Sequence, residues 1–237
     1  MNLPISLATL LDQQLERLRS AAPAALAICE SNPERFMRLQ RLLIASHYAT
    51  DRLCTHPELI STLEACDDVL ELTAENESQW SGLIRRYRHA ESVRLVYRDV
   101  NGIDTLDDTL RGASTLAERC ISAALDAAKL GMEAKHGVPR NSEGMPQELI
   151  VYGLGKLGGG ELNFSSDIDL VFAFPEQGDS DGARSLDNGT YFQRLGQRLI
   201  QLLADVDAEG MAFRVDMRLR PFGQVGRLAL SFPAMEQ

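Results

Sequence analysis

Residues 153–170 read GLGKLGGGELNFSSDIDL. A short β-rich run, ELIVYG at 148–153, leads into this stretch, and a second run at 167–174 leads out of it. Strand side chains alternate between faces, so Asp167 and Asp169 point one way while Ile168 and Leu170 point into a core. Two carboxylates held so close repel each other, and a cation between them removes the repulsion. Mg²⁺ takes a few carboxylates together with phosphate oxygens and water; two Mg²⁺ ions are expected here, with Mn²⁺ as the alternative. A bare Asp-x-Asp is more often only the exposed polar face of a strand start.

The residues upstream change that balance. Five glycines fall within the eight residues 153–160, whereas a simple turn needs one or two. Without Cβ atoms, Gly155, Gly158 and Gly159 let backbone N–H groups approach phosphate oxygens. Lys156 adds a point charge, and the hydroxyls of Ser165 and Ser166 can donate to phosphate just before the first aspartate.

Two other phosphate-binding motifs compete for the same glycines. A Walker A loop requires Ser or Thr after the lysine, and Leu157 follows Lys156. The dinucleotide fingerprint GxGxxG is matched by Gly153, Gly155 and Gly158, but it must open a crossover of a dozen or more residues before the next parallel strand. Only eight residues separate Gly158 from Asp167, room for about two helical turns. The dinucleotide reading is therefore weak.

A third carboxylate comes from the stretch FRVDMRLR at 213–220. Phe213, Val215, Met217 and Leu219 alternate with Arg214, Asp216, Arg218 and Arg220, which predicts a strand over 211–219 with one apolar face. Asp216 on its polar face can complete a metal site, and Arg218 and Arg220 on the same face can clamp phosphate oxygens. Taken alone, the segment is equally well a solvated arginine face with one neutralising aspartate. With the upstream motif, Asp167, Asp169 and Asp216 form a candidate catalytic and metal-binding triad for in-line displacement at phosphorus.

The flanking sequence sets the fold class. The first 135 or so residues carry apolar positions at helical spacing: Leu39, Leu42 and Leu43; Leu83, Ile84 and Tyr87; Leu116, Ile121 and Leu125. Helix starts are expected near Pro4, Pro33 and Pro57, and one long helix over 106–135. A Gly/Pro/Asn-rich loop at 137–144 ends this block. Beyond it, β–loop–β–α–β is expected, with the amphipathic helix at 190–206. The class is α+β: a helical subdomain at 1–136 and a catalytic domain with a small mixed sheet at 145–237. No closing helix is legible after Gly223, so the chain is expected to be part of a longer protein.

Bulk properties narrow the function classes. The 237 residues are 44% apolar and carry a formal charge of −10. Such a charge disfavours nucleic acid as a partner. The N-terminus has no signal-peptide pattern, and no apolar run approaches the ~20 residues of a membrane span. A cytoplasmic protein without membrane contact is expected. Cys29, Cys54, Cys66 and Cys120 show no metal spacing and read as thiols in helices. The histidines are scattered. The basic run Arg85, Arg86, Arg88, Arg94 and Arg98 reads as a solvated helix face rather than a docking surface, and Trp80 reads as a core anchor.

The string at 153–174 resembles the signature of the glutamine synthetase adenylyltransferase family, within the DNA polymerase β-like nucleotidyltransferase superfamily. The glycines, Lys156, Glu161-Leu162-Asn163, Ser166-Asp167 and Asp169-Leu170 stand where that family has them. FRVDMRLRPFG resembles its second block, with Asp216 in the place of the third metal aspartate, and residues 47–59 and 85–98 resemble its N-terminal region. The resemblance implies a polymerase β-like nucleotidyltransferase fold. It further implies Mg²⁺-dependent phosphorolysis of adenylylated tyrosine on glutamine synthetase, releasing ADP, in the N-terminal part of a longer bifunctional protein. ATP-dependent adenylyl transfer to the same tyrosine, and a non-catalytic nucleotide- or partner-binding module, remain the alternatives. In this family a PII-type signal protein communicates with the enzyme, here through other regions.

Overall fold

The computed structural model describes residues 6–64, 69–221, 223 and 226–236. They form two compact units. One comprises residues 1–68 and 89–113, and the other residues 69–88 and 114–237, as far as these are described.

The first unit is helical. It contains α1 (Leu7–Ala21), α2 (Pro23–Glu30), α3 (Pro33–Ala45), α4 (His47–Thr55) and α5 (Leu59–Thr62), with parts of two longer helices, α6 (Trp80–Val100) and α7 (Leu106–His136). Local chemistry sets the helix starts. Asn32 accepts from the N–H groups of Glu34 and Arg35 ahead of Pro33, and the Ser6 and Ser46 hydroxyls accept from Thr9 and Ala49. Pro4 and Cys66 lie outside the described residues. Near Pro57 the helix begins at Leu59. Leu39, Leu42 and Leu43 are buried, together with Leu18, Leu26 and Leu53.

The second unit carries the sheet. β1 (Ile150–Leu154) pairs antiparallel with β2 (Ile168–Phe174), placing Gly153 opposite Leu170 and Leu154 opposite Asp169. The other edge of β2 takes two short parallel strands in succession. β3 (Val215–Asp216) pairs with Ile168 and Asp169, and β4 (Ala229–Ser231) pairs with residues 172–174. A single helical turn, α8 (Gly155–Gly158), follows β1 directly. Helix α9 (Asn188–Ala204) starts at an Asp187 cap and buries Tyr191, Phe192, Leu195, Leu199, Leu202 and Leu203. It packs on β2: Phe192 stacks on Phe174 with ring centroids 4.8 Å apart, and Gly196 lies against Phe172. A short α10 (Phe232–Met235) follows β4.

The strand expected over 211–219 is reduced to Val215–Asp216. The reason is local. The Asp216 carboxylate accepts from the N–H of Arg218 at 2.8 Å, an Asx-type turn that takes the chain out of the ladder. Leu219, expected on the apolar face, is 58% exposed, whereas Phe213 is buried. β4 and α10 have no counterpart in the sequence reading, because three- and four-residue elements carry too little periodicity to see.

The basic run on α6 is not a solvated face. Arg85 and Arg94 are 2% and 4% exposed, Arg88 and Arg98 are half-buried, and Arg86 is exposed. Trp80 is buried as a core anchor, its indole N–H donating to Thr73 O and Asn76 Oδ1 at 2.8 Å. Cys29, Cys54 and Cys120 are thiols in helices. No helix among the described residues is long and apolar enough to cross a membrane.

Two glycine substitutions test this packing with opposite signs. A Cβ at Gly196 would stand 2.7 Å from the Phe172 ring, so Gly196→Ala should cost about 1–3 kcal/mol in urea unfolding. A Cβ at Gly82 on α6 meets nothing within 4 Å, so Gly82→Ala should gain about 0.5–1 kcal/mol from helix propensity.

Candidate nucleotidyl-transfer site

The candidate residues lie in the second unit, at one end of the β1–β2–β3 sheet. The parallel register sets Asp169 directly beside Asp216. Asp167 immediately precedes β2, where the N–H of Ile168 donates to Arg214 O at 3.0 Å and extends the β2–β3 pairing by one bond. The three aspartates thus arise from two adjacent strand ends, while Ile168 and Leu170 are fully buried behind them.

The glycines hold the loop against these carboxylates. Gly155 has φ +55°, and a Cβ there would lie 2.8 Å from Asp169 Oδ2. A Cβ on Gly158 would lie 2.5 Å from Gly153 O. Backbone closes Gly158 to a side chain, whereas at Gly155 the left-handed φ disfavours one and the Asp169 carboxylate would have to move aside. Gly155, Lys156, Gly158 and Gly159 are solvent-exposed, as an incoming phosphate would require. Lys156 Nζ stands 3.5 Å from Ser166 Oγ, a long contact that places the ammonium beside the serine turn.

Asn163, which the sequence reading did not place in the site, organises that turn. Its Oδ1 accepts from the Ser166 hydroxyl at 2.7 Å and from the Ser165 N–H at 3.3 Å. Ser114 on α7 accepts from the Leu162 N–H at 3.0 Å, anchoring the segment just before it. Asn163 and the serines stood in the motif; Ser114 left no sequence signal.

Arginines neutralise the acidic cluster. Arg214 Nε lies 3.1 Å from Asp167 Oδ1. Arg218 bonds Asp216 Oδ2 through Nε at 2.7 Å and Nη2 at 2.5 Å. These bonds hold the Asp216 carboxyl below the usual carboxylate range. In turn the Arg218 guanidinium is raised, first by its bond to Asp216 and then, more weakly, by the charges of Asp169 and Asp167. One cation thus feels all three carboxylates. Arg220 donates instead to Met217 O at 2.9 Å. Because β3 ends at Asp216, the shared strand face expected for Arg218 and Arg220 is not formed.

With Asp167 turned to Arg214 and Asp216 to Arg218, no group of three or more His, Cys, Asp or Glu among the described residues stands ready to hold a metal. Asp167, Asp169 and Asp216, at adjoining strand ends, carry the oxygen ligands that a hard divalent cation would take. Transfer at phosphorus needs such a neutralised, oxygen-lined patch beside backbone and side-chain donors.

The helices and the small mixed sheet make an α+β, nucleotidyltransferase-like fold. The chain belongs to the glutamate-ammonia ligase adenylyltransferase family, whose family model matches residues 25–237. It is 48% identical over its whole length to the bifunctional glutamine synthetase adenylyltransferase/adenylyl-removing enzyme of Stenotrophomonas maltophilia. It is 47% identical over 98% of its length to that of Xanthomonas campestris pv. campestris, and 42% identical over 99% to that of Shewanella loihica. It spans about a quarter of the length of these curated relatives, 25% or 26% in each case.

Gly155→Ala tests the close packing of the loop. The left-handed backbone alone should cost about 1–2 kcal/mol in urea unfolding, and the methyl group should displace Asp169, seen as a change in its side-chain carboxyl NMR shift.

Proposed function

We propose that this chain removes AMP from an adenylylated tyrosine of glutamine synthetase by Mg²⁺-dependent phosphorolysis, releasing ADP. The observation that carries this reading is the β2–β3 register, which sets Asp169 beside Asp216 with Asp167 one residue ahead of the strand. The names of its relatives support glutamine synthetase as the substrate. The resemblance of residues 47–59 and 85–98 to the family's N-terminal region supports removal rather than addition.

The reaction joins two anions, and the surrounding side chains suit that task. An oxygen of hydrogen phosphate forms a bond to the phosphorus of the adenylyl group as the phosphorus–tyrosine oxygen bond breaks. The electron pair leaves with the tyrosine oxygen, which takes the proton brought by hydrogen phosphate. Because phosphate is ionised at neutral pH, no strong general base is required. Lys156, Ser165, Ser166 and the loop at Gly155, Gly158 and Gly159 would hold phosphate oxygens, joined by Arg218 and Arg220, with the Gly159 N–H, which donates to Gly155 O at 3.1 Å, released to do so. Asp167, Asp169 and Asp216 would hold two Mg²⁺ ions, or Mn²⁺, which supply charge stabilisation at the attacking and leaving oxygens. A cytoplasmic setting, and control by a PII-type protein acting through other regions, belong to the same proposal.

The test is to incubate adenylylated glutamine synthetase with the chain, inorganic phosphate and Mg²⁺, and to measure ADP. Wild type should release it, and Asp167→Asn and Asp216→Asn should each lower the rate by about 10²-fold or more. Equal ADP from wild type and the folded variants would sink the site. AMP–tyrosine formed from ATP would reverse the direction. A folded wild type that binds nucleotide without turnover would favour a regulatory module.

A further inference from the structure

Arg85 and Arg88 of the α6 run lie in the second unit, three positions apart on one helix face, and both reach the ends of the chain segments that build the site. Arg85 is 2% exposed; it pairs with Asp207 and donates to Asp205 O at 2.9 Å, in the turn that leads toward β3. Arg88 donates from Nη2 to Phe164 O at 3.0 Å, inside the Asn163–Ser166 turn that leads to β2. The same guanidinium lies over the Phe213 ring, 5.5 Å from its centroid, two residues before β3. One side chain therefore touches the entry segments of both strands that carry the aspartates.

Those strands need such a connection. β3 pairs with β2 over only two residues, with one further bond from Ile168 N–H to Arg214 O. A parallel pairing this short has little stability of its own. The Arg88 guanidinium can bridge it because it is planar: an edge N–H bonds the Phe164 carbonyl while the face covers an aromatic ring.

We infer that Arg88 is a positioning residue that locks the β2–β3 register, and through it the placement of Asp216 beside Asp169. The first part stands on the contacts alone; its consequence for metal rests on the proposed function. Arg88 acts on the site through Phe164 and Phe213.

The test compares the full chain with Arg88→Met, which keeps the apolar stem and removes the donors, and with Arg88→Lys, which keeps the cation but not the fork. Amide exchange at Ile168 reads the register, and Mn²⁺ titration followed by electron paramagnetic resonance reads the site. In Arg88→Met, Ile168 N–H should exchange about tenfold faster while the β1–β2 amides keep their protection. Mn²⁺ affinity should fall about 10- to 100-fold. Arg88→Lys should recover part of both effects, which a loss of general stability would not predict. Unchanged Ile168 exchange in a folded Arg88→Met protein overturns the inference. Faster exchange with unchanged Mn²⁺ affinity overturns the link to the site. If wild type binds no Mn²⁺, the metal-site reading falls, and the exchange data still decide the register. If Arg88→Met does not fold, Arg88→Lys decides on the same readouts: exchange and affinity equal to wild type overturn the inference.

Discussion

Ile168 and Asp169 pair with Val215 and Asp216 over two residues, and the site depends on that contact. It is the shortest strand pairing in the sheet, yet it fixes the spacing between carboxylates that come from distant parts of the sequence. Its neighbours supply the rigidity it lacks. The five-residue antiparallel β1 holds one edge of β2, and β4 continues the other edge. Behind them, Ile168, Leu170, Phe172 and Phe174 are packed into a core shared with α9. The candidate site therefore sits where a well-buried strand emerges from its core, beside exposed loop residues.

The electrostatics answer a second demand. A chain with formal charge −10 would repel phosphate if its site shared that character. Locally, Arg214 and Arg218 balance two of the three aspartates, and Lys156 stands beside Ser166. In the proposed reaction Asp167, Asp169 and Asp216 would hold the divalent cations, and the Arg214 and Arg218 guanidinium groups would then be available to phosphate oxygens. The glycines permit this at close range, since Gly155 brings the loop backbone against the Asp169 carboxylate.

Much of this was legible in the sequence. The alternation of Asp167, Ile168, Asp169 and Leu170 announced a strand with a polar and an apolar face, and both buried residues behave as that pattern requires. The 31-residue helix over 106–136 and the amphipathic α9 also followed from periodicity. The strand at 211–219 did not, because alternation says nothing about where a side chain captures its own backbone, as Asp216 does at Arg218. The arginine run on α6 misled for a related reason. Charge at helical spacing looks solvated, and only tertiary structure reveals that Arg85 and Arg88 have carbonyl and carboxylate partners more than 70 residues away. Partners that distant leave no local trace.

The central claim is that Asp167, Asp169 and Asp216 share a divalent cation at the β2–β3 strand ends. Crystals of the chain soaked in Mn²⁺ and measured at the manganese absorption edge test it most directly. The account predicts anomalous density between Asp169 and Asp216, within ligand distance of both carboxylates, with Arg218 displaced from Asp216. Anomalous density bound elsewhere, or none while the Arg218–Asp216 pair stays closed at saturating Mn²⁺, would contradict it.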